Sequence, residues 1–316
     1  MSRKRLRVLT WHVHGNYLYY LSQAPHDFHI VTKPQHPPGY AGRAGHLPWG
    51  DNVHEVRVEC VRDTQFDCVL YQHHNQYAHD RLRLLSDAQR ALPALFVEHD
   101  PPGEHPTDTL HPVQDPNVLL VHVTPFNALM WDNGVTPTRV IEHGVLIPDG
   151  VEYRGTLPKG VTVVNDIARR GRCLGADLFE VVRHSVPLDL VGIGSTELGG
   201  IGEVPNPALP QFLSHYRFFF NPIRYASLGL AVIEAMMIGL QIVALATTEM
   251  AQLVRSGCNG VADTRPAVLI DAMRRLIRDP DLAREWGAAA KRDACERFGI
   301  ERFVREWDSA LCDVAS

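Results

Sequence analysis

The sequence predicts an α/β protein made of two βα series, and three observations carry that prediction. Phe218 to Leu245 holds a short apolar run (Phe218-Phe219-Phe220), a loop, a stretch of strong helix formers from Ala231 to Ile238, Gly239 to stop it, and a second apolar run, Ile242 to Leu245. That is a strand, loop, helix and strand in about 28 residues, one βαβ unit. Further short apolar runs alternate with helical stretches along the chain, and 316 residues suffice for two domains with a sizeable core. Between Asp149 and Lys159 the composition turns to Gly, Pro and polar residues, which places a linker there and divides the chain into residues 1–150 and 151–316.

Composition narrows the function classes. With 45% apolar and 21% charged residues the chain reads as an ordinary soluble protein. Its net charge of −5 argues against a nucleic-acid surface. The basic start, Arg3-Lys4-Arg5 with Arg7, allows peripheral contact with an anionic membrane. The apolar run after it is too short for a signal peptide or a span. Six scattered cysteines without CxxC spacing suggest free thiols in a reducing, cytoplasmic setting. Seventeen histidines raise the question of a metal, but none forms HExxH. His99, His105 and His111 are separated by prolines, so no metal is expected.

In order, Leu6 to Thr10 reads as the first strand, followed by a loop with Gly15 and a helix from Tyr17 to about Gln23. Phe28 to Thr32 is the second strand, and Lys33 to Asp51 is a long loop rich in Gly and Pro. Asp67 to Tyr71 is the next strand, delivering Gln72-His73-His74-Asn75-Gln76, which either bonds a ligand's hydroxyls or caps a helix. Ala94 to Glu98 ends in His99. Val118 to Val123 and Arg139 to Glu142 follow, with a short helix over Asn127 to Asp132 between them. Val161 to Val164 opens the second series, Leu188 to Ile193 continues it, and Ala208 to Tyr216 is a short helix leading to the βαβ unit. Val268 to Ile277 and Leu282 to Glu296 read as helices. Phe303, Trp307 and Leu311 mark one face of a last amphipathic helix.

The loop of the βαβ unit carries the candidate site. It lies at the carboxyl end of a strand, where open α/β sheets bind ligands, and it leads into a helix amino terminus suited to a phosphate. Glu234, one turn in, either faces that ligand or sits on the solvated face of a plain crossover.

The residues Arg-Tyr-Ala-Ser-Leu-Gly-Leu-Ala-Val-Ile-Glu-Ala-Met-Met-Ile-Gly-Leu-Gln-Ile-Val-Ala from Arg224, with Gln252 to Gly260 (QLVRSGCNG) after them, resemble the donor-binding signature of the family-4 (group 1) GT-B glycosyltransferases. Arg169 to Leu178 (RRGRCLGADL) is similar to that family's G-R-x-x-x-x-K-G-x-D-L. The resemblance implies two Rossmann-like domains facing a central cleft, with the last helix packing back on the first domain. It implies retaining, metal-independent transfer of a sugar from a nucleotide diphospho-sugar to an acceptor hydroxyl, on a glycan, a lipid or a small molecule. No cofactor beyond that donor is implied. Glu234 would hold the ribose, Gly194 would pass beneath the base, and the Ser227-Leu228-Gly229-Leu230 segment would bind the diphosphate. Arg169, helped by Arg172, would stabilise the leaving group. Gly15 would close on the donor phosphates, and His99 would assist at the reacting sugar. Two positions depart from the pattern: Ala226 stands where the first glutamate of E-x7-E falls, and Leu174 where the lysine falls. A non-catalytic nucleotide-sugar-binding protein is therefore one alternative, and other GT-B chemistry such as epimerisation is another.

Overall fold

The computed structural model describes residues 4–13 and 15–316, so Arg3 of the basic start and His14 of the first loop lie outside the described residues. Two compact units divide the chain: Met1–Gly144 together with Ile300–Ser316, and Val145–Gly299.

The first unit is a seven-stranded parallel sheet, β1 (Arg7–Thr10), β2 (Asp27–Thr32), β3 (Val53–Arg57), β4 (Cys68–Tyr71), β5 (Ala94–Glu98), β6 (Val118–His122) and β7 (Thr138–Val140), in spatial order β3-β2-β1-β4-β5-β6-β7. Strands β1, β4 and β5 read as nearly continuous apolar runs because helices cover both faces of a parallel sheet. β3 escapes sequence reading for the opposite reason. It is an edge strand, VHEVR, whose His54, Glu55 and Arg57 face solvent, so it lacks an apolar run. Lys33 to Asp51 holds no regular element, as its composition predicts. The strand order reverses between β1 and β4, and Gln72 closes that point from inside. It is 2% exposed and donates to Thr10 Oγ1 (3.0 Å) and Trp11 O (2.8 Å). Gln76 is 4% exposed and accepts from Gln72 N at 2.8 Å, so both amides serve the fold.

The last helix, Ile300–Ala315, packs on helix Gly15–Leu21 and on β4 and β5 within this unit. Its Phe303 and Trp307 are fully buried and meet Tyr17 edge-on, at 5.6 Å and 6.5 Å between ring centres. The 3.6-residue spacing of Phe303, Trp307 and Leu311 is thus core packing.

Asp67 ties the amino ends of β1 and β4 together. It accepts from Arg7 N (2.8 Å), Arg7 Nε (3.1 Å) and Lys4 Nζ (3.0 Å). The Arg7 hydrogen bond, above all, holds its carboxyl well below the usual carboxylate range. A depressed folded-state pKa contributes stability above the unfolded value, near 3.9, and loses it as the pH falls through the folded one. Asp67→Asn is expected to lower stability at pH 7 by about 1–3 kcal/mol. Denaturant unfolding should show that deficit shrinking below about pH 4; a deficit that stays constant down to pH 3 would refute the assignment.

The second unit is a five-stranded parallel sheet: β8 (Leu157–Val163), β9 (Leu188–Val191), β10 (Tyr216–Asn221), β11 (Ile242–Leu245) and β12 (Gly260–Asp263), in order β12-β11-β10-β8-β9. β8 begins four residues before the apolar run that announced it. Pro158 and Lys159 read as linker, yet they lie in β8, and the next residue, Gly160, pairs with Phe218 and leaves room for that ring where any Cβ would collide. β10, the Tyr216–Asn221 strand, is buried along its whole length, and helix Leu230–Met237 behind it is buried on nearly every side. No described helix is long and apolar enough to cross a membrane.

Candidate active site

In the second unit the strand order turns at β8 and β10, so the crevice beyond their carboxyl ends is the topological switch point of an open α/β sheet. Three loops meet there. After β8, Val164 N and Asp166 N donate to Val191 O (2.9 Å) and Ile193 O (2.8 Å), and Ile193 N donates to Asn165 Oδ1 (2.9 Å). These bonds join the β8 and β9 loops. After β10, Arg224 N and Tyr225 N donate to Cys173 O at 3.0 and 3.2 Å, and the Cys173 thiol donates to Tyr225 O at 2.9 Å. Cys173 thus staples the arginine-rich segment to the loop that precedes helix Leu230–Met237.

Eight of the predicted site residues, Arg169, Arg172, Gly194, Ser227, Leu228, Gly229, Leu230 and Glu234, lie on these loops or on the helix that follows them. Gly229, exposed and extended, is the helix N-cap, and no side chain caps the first turn. A helix amino terminus with this arrangement favours an anion. Glu234 does not lie on a solvated face. It is 1% exposed and accepts from Asn206 Nδ2 at 3.2 Å. A carboxylate held this deep is stable only with hydrogen-bond donors around it, unlike a surface charge. Gly194 has φ +72°, a left-handed conformation that a side chain would strain. Gly175 is left-handed too, and the Pro222 carbonyl lies where its Cβ would be.

Two arginines on the β8 side are paired. Arg169 bonds Asp166 at 2.8 Å, and Arg172 bonds Asp177 at 2.6 Å; both guanidinium groups remain largely exposed. Arg224, quoted in the sequence motif without a role, grips Asp177 with both nitrogens, Nη1 at 2.6 Å and Nη2 at 3.0 Å. Its hydrogen bond is the first reason the Asp177 carboxyl lies below the ordinary range. Sequence reasoning missed Arg224, Asp177, Asn206 and Cys173 because nothing in their spacing announces these pairings. The two departures from the family pattern share one environment. Leu174 (3% exposed) and Ala226 (9%) pack in a single apolar cluster with Val164, Ile167, Phe179 and Leu190.

Two predicted residues lie in the first unit. Gly15 opens helix Gly15–Leu21, next to His14, and its surroundings are outside the described residues. His99 directly follows β5, half-buried; its ring meets Tyr17 edge-on at 4.6 Å and its carbonyl accepts from Asn127 Nδ2 at 3.1 Å. Beside it, His111 is fully buried. Its Nδ1 accepts from Val113 N (3.1 Å), so its Nε2 proton faces Glu98 Oε2 (3.1 Å). Among the described residues His26, Asp308 and Cys312 bring ligand atoms within 4.8 Å of one another. The ring of His26 is committed, however. Leu6 N donates to Nδ1 at 3.3 Å, so the neutral ring keeps its proton on Nε2, 3.2 Å from Asp308 Oδ1, and offers no lone pair to a metal there.

The chain is similar in fold to several solved glycosyltransferase structures. Sucrose-phosphate synthase from Thermosynechococcus elongatus superposes with a TM-score of 0.69 at 15% identity, over 97% of this chain and 98% of that one. HepE from Anabaena, solved with UDP and glucose, gives 0.67 at 13% identity over 98% and 100%. A glycosyltransferase from Rickettsia africae gives 0.65 at 11% identity over 99% of each chain. No curated protein sequence matches the chain. Residues 190–279, which hold Gly194, the βαβ unit and Glu234, match the family model for glycosyl transferases group 1. That segment is thus similar to the glycosyl transferases group 1, and the chain has the GT-B fold built of two parallel α/β units.

Proposed function

We propose that this protein transfers a sugar from a nucleotide diphospho-sugar to an acceptor hydroxyl, with retention of anomeric configuration and without a metal. One observation carries the reading: a buried carboxylate, a helix amino terminus with no side-chain cap and an arginine-rich loop all lie on the segments at the switch point of the second sheet. The helix terminus takes the diphosphate through its N–H groups, Glu234 accepts from the ribose hydroxyls, and Gly194 leaves room for the base. Arg169 spreads the charge of the leaving diphosphate, the electrostatic work that a metal does elsewhere. The leaving phosphate oxygen takes the acceptor's proton. Residues 145–299 form the donor unit. The other unit binds the acceptor, with the His99 imidazole offering a hydrogen bond to the sugar. HepE was solved with UDP and glucose, so UDP-glucose is the first donor to try. Six free cysteines suit a cytoplasmic setting.

A nucleotide-sugar binder without activity is the second reading, and the apolar cluster that holds Leu174 and Ala226 favours it. Thermal unfolding with UDP, GDP, TDP, ADP and CMP, with and without magnesium, tests both. A nucleotide at 100 times its dissociation constant should add about 2.7 kcal/mol to the donor unit, with no need for magnesium. Slow hydrolysis of the matching nucleotide sugar would select the transferase, whereas binding without turnover would select the binder. No stabilisation by any of the five would overturn both.

A further inference from the structure

We infer that Arg224, held beside Arg172 on the carboxylate of Asp177, is a diphosphate-binding cation of the donor site and makes good the charge that Leu174 does not supply. The inference rests on the donor-site reading above and adds to it a residue that the motif leaves without a role.

Leu174 is 3% exposed and packed against an apolar cluster, so position 174 presents no charge to a ligand. Arg224 reaches the same edge by another route. It lies three residues beyond the end of β10 and five before the helix N-cap Gly229, inside the loop that a diphosphate must touch to reach that helix. Its backbone is fixed by the bond from its N–H to Cys173 O. Its side chain is fixed at three points: Nη1 donates to Arg172 O (2.8 Å) and Asp177 Oδ1 (2.6 Å), and Nη2 donates to Asp177 Oδ2 (3.0 Å). A guanidinium carries five N–H donors, so Nε–H and one Nη2–H remain without a partner among the described residues. The side chain is 31% exposed, which leaves them access to a ligand.

Charge counting favours the same assignment. Arg169 is balanced by Asp166, whereas Arg172 and Arg224 share the single Asp177 carboxylate, so that trio keeps one net positive charge. A planar guanidinium already held in place loses little freedom on meeting phosphate oxygens and can bridge two of them, which an ammonium does not. A second phosphate group is what such a cation discriminates. It adds little to the binding of a nucleoside monophosphate and much to that of a diphosphate.

The experiment is calorimetric titration of UDP, GDP, TDP and ADP, each against its own monophosphate, into the unaltered chain, Arg224→Ala and Arg224→Lys. The diphosphate that binds the unaltered chain should bind Arg224→Ala at least tenfold more weakly, with the monophosphate changed less than threefold. Arg224→Lys should fall between, keeping the charge and losing the fork. Thermal unfolding of both variants shows whether the loop survives, and the Lys variant serves if the Ala variant does not fold. An unchanged ratio of diphosphate to monophosphate affinity in a folded variant overturns the inference and leaves the donor site standing. No binding of any diphosphate to the unaltered chain overturns the donor site itself.

Discussion

Glu234→Ala is expected to weaken nucleoside diphosphate binding by about ten- to one-hundred-fold, the largest loss from any single side chain in the donor site. A hydrogen bond to a charged acceptor contributes about 1.5–3 kcal/mol, and every 1.4 kcal/mol is a factor of ten in affinity. Glu234 gains more from a ligand than an exposed carboxylate would, because at 1% exposure it has already lost its water. The cost to the fold is smaller. Asn206, which donates to Glu234, is half-buried and can turn its amide to solvent when the carboxylate is gone. Glu234→Gln keeps the volume and removes the charge, so it should fall between the parent and the Ala variant. Titration calorimetry on folded protein decides the matter. If Glu234→Ala lowers the melting temperature but leaves nucleotide affinity untouched, Glu234 is only a structural partner of Asn206, and Asn206→Ala should then reproduce the same loss of stability.

Much of the second unit was legible in the sequence because its strands are buried on both sides and betray themselves as apolar runs. Phe218 to Phe220 lie in β10, Ile242 to Leu245 are β11, and Gly239 ends the helix between them with φ +92°. Periodicity fails where an element has a polar face at an edge, as in β3, or lacks an apolar run and is mostly half-buried, as in β12 (GVAD). The candidate site was legible by position and not by partnership. Chain order locates Arg169 and Glu234 at strand and helix ends, but no spacing reveals that Cys173 staples two loops or that Asp177 gathers two arginines. The Cys173–Tyr225 and Arg224–Asp177 pairings join residues about 50 apart in sequence and exist only once the β8 and β10 loops meet. The apolar cluster under the site was equally hidden. Leu174 and Ala226 look like two separate losses in the sequence and turn out to be one packed patch.

Trp307→Ala should have the greatest effect on stability, about 3–5 kcal/mol, because it empties the middle of the first unit's core. Trp307 is fully buried and packs edge-on against Phe303, at 6.3 Å between ring centres, and Tyr17, at 6.5 Å. The small residue left behind cannot draw these neighbours in, since Phe303 is pressed against Gly144 so closely that a Cβ there would strike its ring. In a unit of this size the loss corresponds to a fall of roughly 6–20 °C in its melting temperature. Trp307→Phe should recover most of it. The effect ought to reach the site through one contact. Tyr17 lies between Trp307 and His99, meeting the His99 ring at 4.6 Å, so a loosened Tyr17 frees the imidazole. At a temperature where the variant is folded, sugar transfer should therefore slow while nucleotide affinity, assigned to residues 145–299 in the proposed function, stays the same. Scanning calorimetry and nucleotide titration check both halves. A destabilisation below about 1 kcal/mol would mean that the core tolerates the cavity, contrary to the usual cost of losing a buried aromatic, and nucleotide affinity falling in step with transfer would mean that Trp307 acts on the donor unit instead of on His99.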